Sequence, residues 1–191
     1  PRIGRLAFER AEDELVLAPA AHVAMRLEAE GQVLKLGPLD RDDRGGALDR
    51  LPGRGRRIAI HLAQGDALLI DEAYNANPAS MRATLAMLGQ EKGRKIAILG
   101  AMRELGPEEE TQHAALAEPV QAAGVDLALL VGTEMKPLAD ALEGKVEFVH
   151  VPDAAAAADR ARRLIAPGDA VLVKGSNSVG LAGVVDALAG G

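Results

Sequence analysis

The chain contains no cysteine, which rules out disulfides and thiolate metal sites. Its 191 residues include one Tyr, two Phe and no Trp. The core must therefore be built from Ala, Leu, Val and Ile, side chains that suit closely packed helices on an aliphatic sheet. No apolar stretch approaches the roughly 20 residues of a membrane-spanning helix, and the N-terminus, beginning at Pro1, carries no signal-peptide pattern. Positive charge is in deficit: 22 Lys and Arg against 28 Asp and Glu give a net charge of −6. With no basic face to compensate, nucleic acid is not an expected partner. A soluble, cytoplasmic protein without a membrane partner is the expectation.

Several motifs are also missing. No G-x-x-x-x-G-K-[ST] phosphate loop occurs, since the one Gly-Lys pair, Gly144-Lys145, is followed by Val. There is no G-x-S-x-G elbow, and no G-x-G-x-x-G follows a strand. His22, His61, His113 and His150 are scattered without a second ligand at helical spacing, so they make no metal site.

What is present is alternation. Apolar runs at 67–70, 96–99, 127–131, 146–151 and 170–173 are short and bounded by Gly or charge. Most are continuous, as in strands buried on both faces. Between them lie helical segments at 80–88, 107–123, 133–142, 153–165 and 181–188. Thr133 and Asp153 are the N-cap candidates. Pro119 must either end a helix or begin a second one. Strand–helix alternation of this kind predicts an α/β fold with a doubly wound, mostly parallel Rossmann-like sheet. Residues 55–62 and 66–71 read as a hairpin that adds an antiparallel edge strand. Upstream the character changes: short strands over 1–18, a helix over 20–35, and a Gly-, Asp- and Arg-rich stretch over 37–54 with a short helix near Leu48. Residues 1–50 thus read as the tail of a preceding domain with its linker, and 51–191 as the main domain.

In open parallel sheets ligands bind where strands end and helices begin. The stretch "IDEAYNANPAS" sits at such an end. Asp71 can take a ribose hydroxyl or position a metal-bound water, Tyr74 can stack on or hydrogen-bond to a base, and Asn75 and Asn77 offer donors and acceptors. The competing reading is an Asx turn that only caps the helix beginning near Ser80. In "LGAMRELGPEEE", Arg103 can reach a phosphate while Glu104 orients it; alternatively this is a solvated surface loop. In "VKGSNSVGL", Lys174 at a strand end, followed by Gly-Ser-Asn-Ser opening a helix, makes an anion-friendly pocket, or simply a Ser-capped helix start.

Taken together these segments carry a resemblance. "LLIDEAYNANPASMRATL", with its Tyr-Asn-Ala-Asn-Pro and Ser-Met, resembles the start of the C-terminal domain of the Mur ligases. "ILGAMRELG" ending at Gly106, His113, "LLVG" at 129–132 and "VLVKGSNSVGL" at 171–181 continue the match in order. It covers about residues 55–191. Further upstream, "APAAHVAMR" is similar to the segment Gly-x-His-x-x-x-Asn that closes the family's central ATPase domain, with His22 in place and Arg26 where Asn is usual.

The resemblance implies an ATP-dependent amide ligase of cell-wall (peptidoglycan) synthesis, nearest the branch that adds D-Ala-D-Ala to UDP-MurNAc-tripeptide through an acyl phosphate. ATP and Mg2+ are the implied cofactors, held mainly by a central domain that, with the N-terminal domain, this sequence does not show. Asp71, Tyr74, Asn75 and Asn77 would face the nucleotide, and Lys174 would be catalytic. Ser176, Asn177 and Arg103 would bind substrate. Two positions depart from the family pattern: Ala101 where an acid is usual, and Asn177 where Arg is usual, and Asn cannot form Arg's bidentate clamp. A folylpolyglutamate-type ligase shares the fold but usually lacks Tyr-Asn-Ala-Asn-Pro. A Rossmann-like nucleotide-binding module without catalysis is the alternative from another class.

Overall fold

The computed structural model describes residues 28–29, 32–33 and 55–190. The chain divides into two compact units, Pro1–Asp43 and Arg44–Gly191. Of the first, only two short strands are described: β1 (Glu28–Ala29) pairs antiparallel with β2 (Gln32–Val33). A helix over 20–35 is therefore incorrect at these residues. The expected strands over 1–18, the helix near Leu48, His22 and Arg26 lie outside the described residues.

The second unit is a six-stranded sheet in the order β3-β4-β8-β5-β6-β7. A hairpin opens it, β3 (Arg56–Leu62) against β4 (Gly65–Glu72), as expected from the paired apolar runs. The other neighbours, β5 (Lys95–Gly100), β6 (Leu127–Val131), β7 (Glu147–Val151) and β8 (Ala170–Lys174), all pair in parallel. The continuous apolar strands take the centre: every residue of β6 and β8 is buried. The edge strands β3 and β7 are partly exposed, which explains their more mixed sequences.

Helices cover both faces. Met81, Leu85 and Leu88 of α1 (Pro78–Gly89), Val120 of α3 (Ala117–Ala122) and Leu138 and Leu142 of α4 (Lys136–Leu142) share one apolar cluster with Ile70, Leu99, Leu130 and Leu172. On the opposite face α5 (Ala154–Leu164) and α6 (Ala182–Ala189) pack on Leu69, Ile98, Leu129 and Val173. The small side chains Ala157, Ala158 and Ala161 let α5 lie close to the sheet.

Local chemistry explains the element boundaries. Asp153 caps α5 by accepting from the Ala156 N–H at 2.8 Å, as expected. The segment opened by Pro107 splits into a 3-10 turn (Gly106–Glu108), α2 (Glu109–Ala114) and α3. Pro119 is the third residue of α3, where an intrahelical N–H is not needed. Thr133 is not an N-cap: it opens a 3-10 turn (Thr133–Met135), and its hydroxyl faces the Glu134 carboxylate at 3.4 Å.

One topological fact positions the site. The chain leaves β4 and β5 for helices on one face, whereas it leaves β8, which lies between them, for α6 on the other. The carboxyl end of β8 is thus a switch point, where diverging loops open a crevice.

Candidate functional site

At the end of β4, the Asp71 carboxylate accepts from Arg56 of the neighbouring strand at 2.9 and 3.2 Å. Its other oxygen accepts from the Ala73 N–H at 3.1 Å and turns the chain out of the strand. Asn77 is the N-cap of α1 in a full capping box: its side chain accepts from the Ser80 N–H at 2.8 Å, and Ser80 Oγ accepts from the Asn77 N–H at 3.1 Å. The capping reading therefore accounts for the Asn77 side-chain oxygen, and the helix it caps begins at Pro78, two residues before Ser80. The Asn77 NH2 group remains for other partners. Between these fasteners Tyr74 stands out at 83% exposed, the one exposed large hydrophobic side chain among the described residues.

Lys174 ends β8 directly opposite Glu72 in the parallel ladder. Its side chain is 1% exposed and runs beneath the Tyr74–Asn77 loop. There Nζ donates to the Asn75 carbonyl at 2.7 Å and lies 3.6 Å from Glu72 Oε2. The other Glu72 oxygen accepts from the Gly55 N–H at 2.7 Å. Burial pushes the Lys174 ammonium below its ordinary pKa, and the Glu72 charge opposes that shift. Tyr74 and Lys174 thus meet on one rim, but the ammonium faces backbone rather than open crevice. Glu72 is a member of this group that sequence reading missed, because only the ladder register puts it beside Lys174.

Across the switch point the loops after β8 and β5 interlock through two glycines. A Cβ on Gly175 would lie 3.1 Å from the Gly100 Cα, and a Cβ on Gly100 would lie 2.9 Å from Val179 Cγ1. Without side chains between them, the Ser176 N–H donates to the Ala101 carbonyl at 3.0 Å, and the Arg103 N–H donates to Ser176 Oγ at 3.0 Å. Ser176 is therefore buried, and although it stands at the N-cap position of the turn that follows, its side chain makes no capping hydrogen bond. A 3-10 turn (Asn177–Val179) follows, and α6 begins only at Ala182, so the anion-receiving helix start expected next to Lys174 does not form there. Asn177 is exposed on that turn.

Arg103 points along the rim. Its guanidinium meets Glu134 at 2.6 Å and Ser178 Oγ at 3.3 Å. The expected orienting partner, Glu104, does not serve. Glu104 takes a left-handed backbone conformation (φ 64°), the only non-glycine residue among those described to do so, and strained residues of this kind concentrate at functional loops. The Glu134 carboxyl is held below its usual range by its own backbone N–H and by Arg103. Ala101 is buried in the core cluster. Behind the loop, fully buried His113 accepts from the Met102 N–H through Nε2 at 2.9 Å. This fixes the neutral tautomer with the proton on Nδ1, an atom that has no hydrogen-bond partner. Burial pushes the His113 pKa down, partly opposed by the Glu109 carbonyl and carboxylate one turn earlier.

A groove of about 710 Å³ continues the rim between α2 and α4, lined by Glu109, Glu110, Glu134 and Lys136 among others. A hollow of about 320 Å³ between α1 and α3 lies away from it. No group of three or more His, Asp or Glu among the described residues could hold a metal ion. No helix among them is long and apolar enough to cross a membrane.

The chain has known relatives. The model of the family described as "Mur ligase, glutamate ligase domain" matches residues 56–177. UDP-N-acetylmuramoyl-tripeptide--D-alanyl-D-alanine ligase of Escherichia coli (strain K12) is 35% identical over 179 residues, covering 92% of this chain and 39% of that protein. The protein of the same name from Mycobacterium tuberculosis (strain H37Rv) is 35% identical over 166 residues, covering 74% of this chain and 32% of that one. Among solved structures, MurF ligase from Thermotoga maritima in complex with ADP aligns with a TM-score of 0.59 at 25% identity, covering 73% of this chain and 31% of that chain. MurF from Acinetobacter baumannii aligns with a TM-score of 0.60 at 28% identity, covering 74% and 30%. The chain spans well under half the length of the curated relatives it matches.

Proposed function

The chain belongs to the Mur ligases, matching their glutamate ligase domain, and from that premise we propose that it is the C-terminal part of an ATP-dependent ligase joining D-Ala-D-Ala to UDP-MurNAc-tripeptide in bacterial peptidoglycan synthesis. The observation that carries this reading is the rim at the switch point, where Tyr74 is held outward on a fastened loop beside the Arg103–Ser176–Asn177 side of the crevice.

In this reading the rim is half of a composite pocket, and the N-terminal and central domains that such ligases carry supply the other half. The residues fit a nucleotide in part: the exposed Tyr74 ring offers a flat face for a base, and the Asn75 and Asn77 amides are near it in the loop. The Asp71 carboxylate, by contrast, is already engaged by Arg56 and the Ala73 N–H and would reach a ribose hydroxyl only by sharing those bonds. When bound, ATP supplies the phosphoryl group that activates the carboxylate of the tripeptide. Mg2+ would be held mainly by the central domain. Ser176, Asn177 and Arg103 take the dipeptide side, where a guanidinium already aligned by Glu134 and Ser178 costs little entropy to engage a carboxylate. Closing this domain over the central one excludes the water that would otherwise hydrolyse the acyl phosphate. Lys174, 1% exposed beneath the loop, serves this site from below. The cytoplasm, where nucleotide precursors are made, is the compartment this function requires.

The test is phosphate release when this chain is mixed with the N-terminal and central domains of the E. coli relative. Release that needs both ATP and D-Ala-D-Ala is the expected outcome. None from a mixture of folded partners overturns the assignment, and tight ADP binding by this chain alone would favour a free-standing nucleotide-binding module instead.

A further inference from the structure

The contacts of Lys174 are the starting point. Its ammonium is enclosed, yet it has only two partners among the described residues: the Asn75 carbonyl at 2.7 Å and the Glu72 carboxylate at 3.6 Å. Glu72 in turn binds the Gly55 N–H at 2.7 Å, at the point where the chain enters β3. Gly55 itself is tightly specified. It has φ +43°, and a Cβ there would lie 2.6 Å from Ile70 Cγ2 and 3.3 Å from both Glu72 Cγ and Met87 Cε. A continuous path therefore runs from the entry of the sheet, through a carboxylate and an ammonium paired in the ladder, to the Asn75–Ala76 peptide, one residue beyond Tyr74.

We propose that Glu72 and Lys174 form a positioning pair that holds the Tyr74–Asn75 turn in its outward, nucleotide-receiving geometry and ties it to the entry peptide at Gly55. The role for the turn rests on the proposed function. The mechanical coupling stands apart from it. Among the described hydrogen bonds no other long-range one reaches the centre of this turn: Asp71 fixes its start through Ala73, Asn77 fixes its end through Ser80, and buried Ala76 anchors it only by apolar packing. Asn75 closes only a local contact with the next N–H, at 2.8 Å. A charge enclosed this way is costly unless its hydrogen bonds are made, so the ammonium selects the loop conformation that brings a carbonyl to it. Glu72 keeps the ammonium charged and aimed. Neither side chain needs to touch a ligand.

The composition provides the probe. Tyr74 is the only Tyr in a chain without Trp, so its fluorescence anisotropy reports the motion of this turn alone. We expect Glu72→Gln and Lys174→Met each to raise the fast component of the anisotropy decay about twofold, a nanosecond loop motion, and to weaken ADP binding about tenfold. The single variants leave a buried group without its partner and stand to lose stability, whereas the double variant Glu72→Gln/Lys174→Met removes both charges together. It is expected to recover most of the stability and keep the mobile Tyr74, which a purely structural pair would not do. Wild-type anisotropy in every variant that keeps its circular dichroism overturns the proposal. So does weakened ADP binding with unchanged anisotropy, which would mean that Lys174 touches the ligand. If the wild-type chain binds no ADP while the variants loosen Tyr74, the nucleotide reading fails and the coupling stands.

Discussion

The two ends of this one sheet use the same kinds of side chain for opposite purposes. At the amino end, polar groups are consumed in fastening backbone. Asp126 accepts from the Lys95 N–H at 2.8 Å, Asp169 accepts from the Ala166 N–H at 2.9 Å, and Arg94 donates to the Leu164 carbonyl at 3.1 Å. Two loops meet there so closely that a Cβ on Gly93 would lie 2.1 Å from the Gly168 carbonyl oxygen. At the carboxyl end, comparable fasteners (Asp71, Asn77, Ser176, Lys174) hold loops so that other groups remain presented: Tyr74, the Asn amides, Arg103. A closed end supports the fold. An end whose fasteners lie beneath displayed side chains leaves those side chains in reach of a partner, as the proposed function requires.

Substitutions can break or sharpen this contrast. The largest effect is expected at the closed end. Gly93→Ala puts a methyl group onto a carbonyl at φ +84° and should cost about 2–4 kcal/mol in urea unfolding, while the folded fraction keeps its affinity for ADP. An equal loss of affinity would mean that the two ends are not independent.

Next is His113, behind the displayed end. Its folded pKa lies below the unfolded value, so both states are neutral at high pH, and the unfolded state takes up the proton first as pH falls. Stability is therefore full above about pH 6.5 and declines below it, by at most about 1.4 kcal/mol per pH unit, until the folded pKa is reached. His113→Gln should flatten that part of a stability–pH curve, and an unchanged slope would place its origin elsewhere.

Tyr74→Ala comes third. At 83% exposure its loss should move stability by no more than about 0.5 kcal/mol, yet weaken ADP binding about tenfold in calorimetry. A large loss of stability with intact affinity would reverse the contrast between the ends. The smallest effect is at Asn77, where Ala should cost about 1 kcal/mol through the lost cap. Asn77→Ser keeps a capping oxygen, so weaker ADP binding by that variant at unchanged stability would show the amide working beyond the cap.

Much of the architecture was legible in the residues. The uninterrupted runs LALLV and AVLVK announced strands buried on both faces, and the hairpin and the Asp153 cap followed from spacing alone. The rim was legible as a set of positions, since Tyr74, Asn77, Arg103 and Lys174 all follow apolar runs. Their partners were not. Arg103 pairs with Glu134, some thirty residues away along the chain, and not with adjacent Glu104. Ser176 receives the Arg103 N–H instead of capping a helix.

The linear order of residues determined which segments are strands, which face of each helix is apolar and which loops are rich in polar groups, because propensity, periodicity and capping act over a few neighbours. Only tertiary structure decided that Glu72 stands beside Lys174, that Gly100 and Gly175 let two loops touch, and that His113 lies behind Met102. The first two depend on the order of strands in the sheet and on ladder register, which bring together residues 102 and 75 positions apart, and the third on a loop folding back onto a helix 11 residues on, none of which a local pattern encodes.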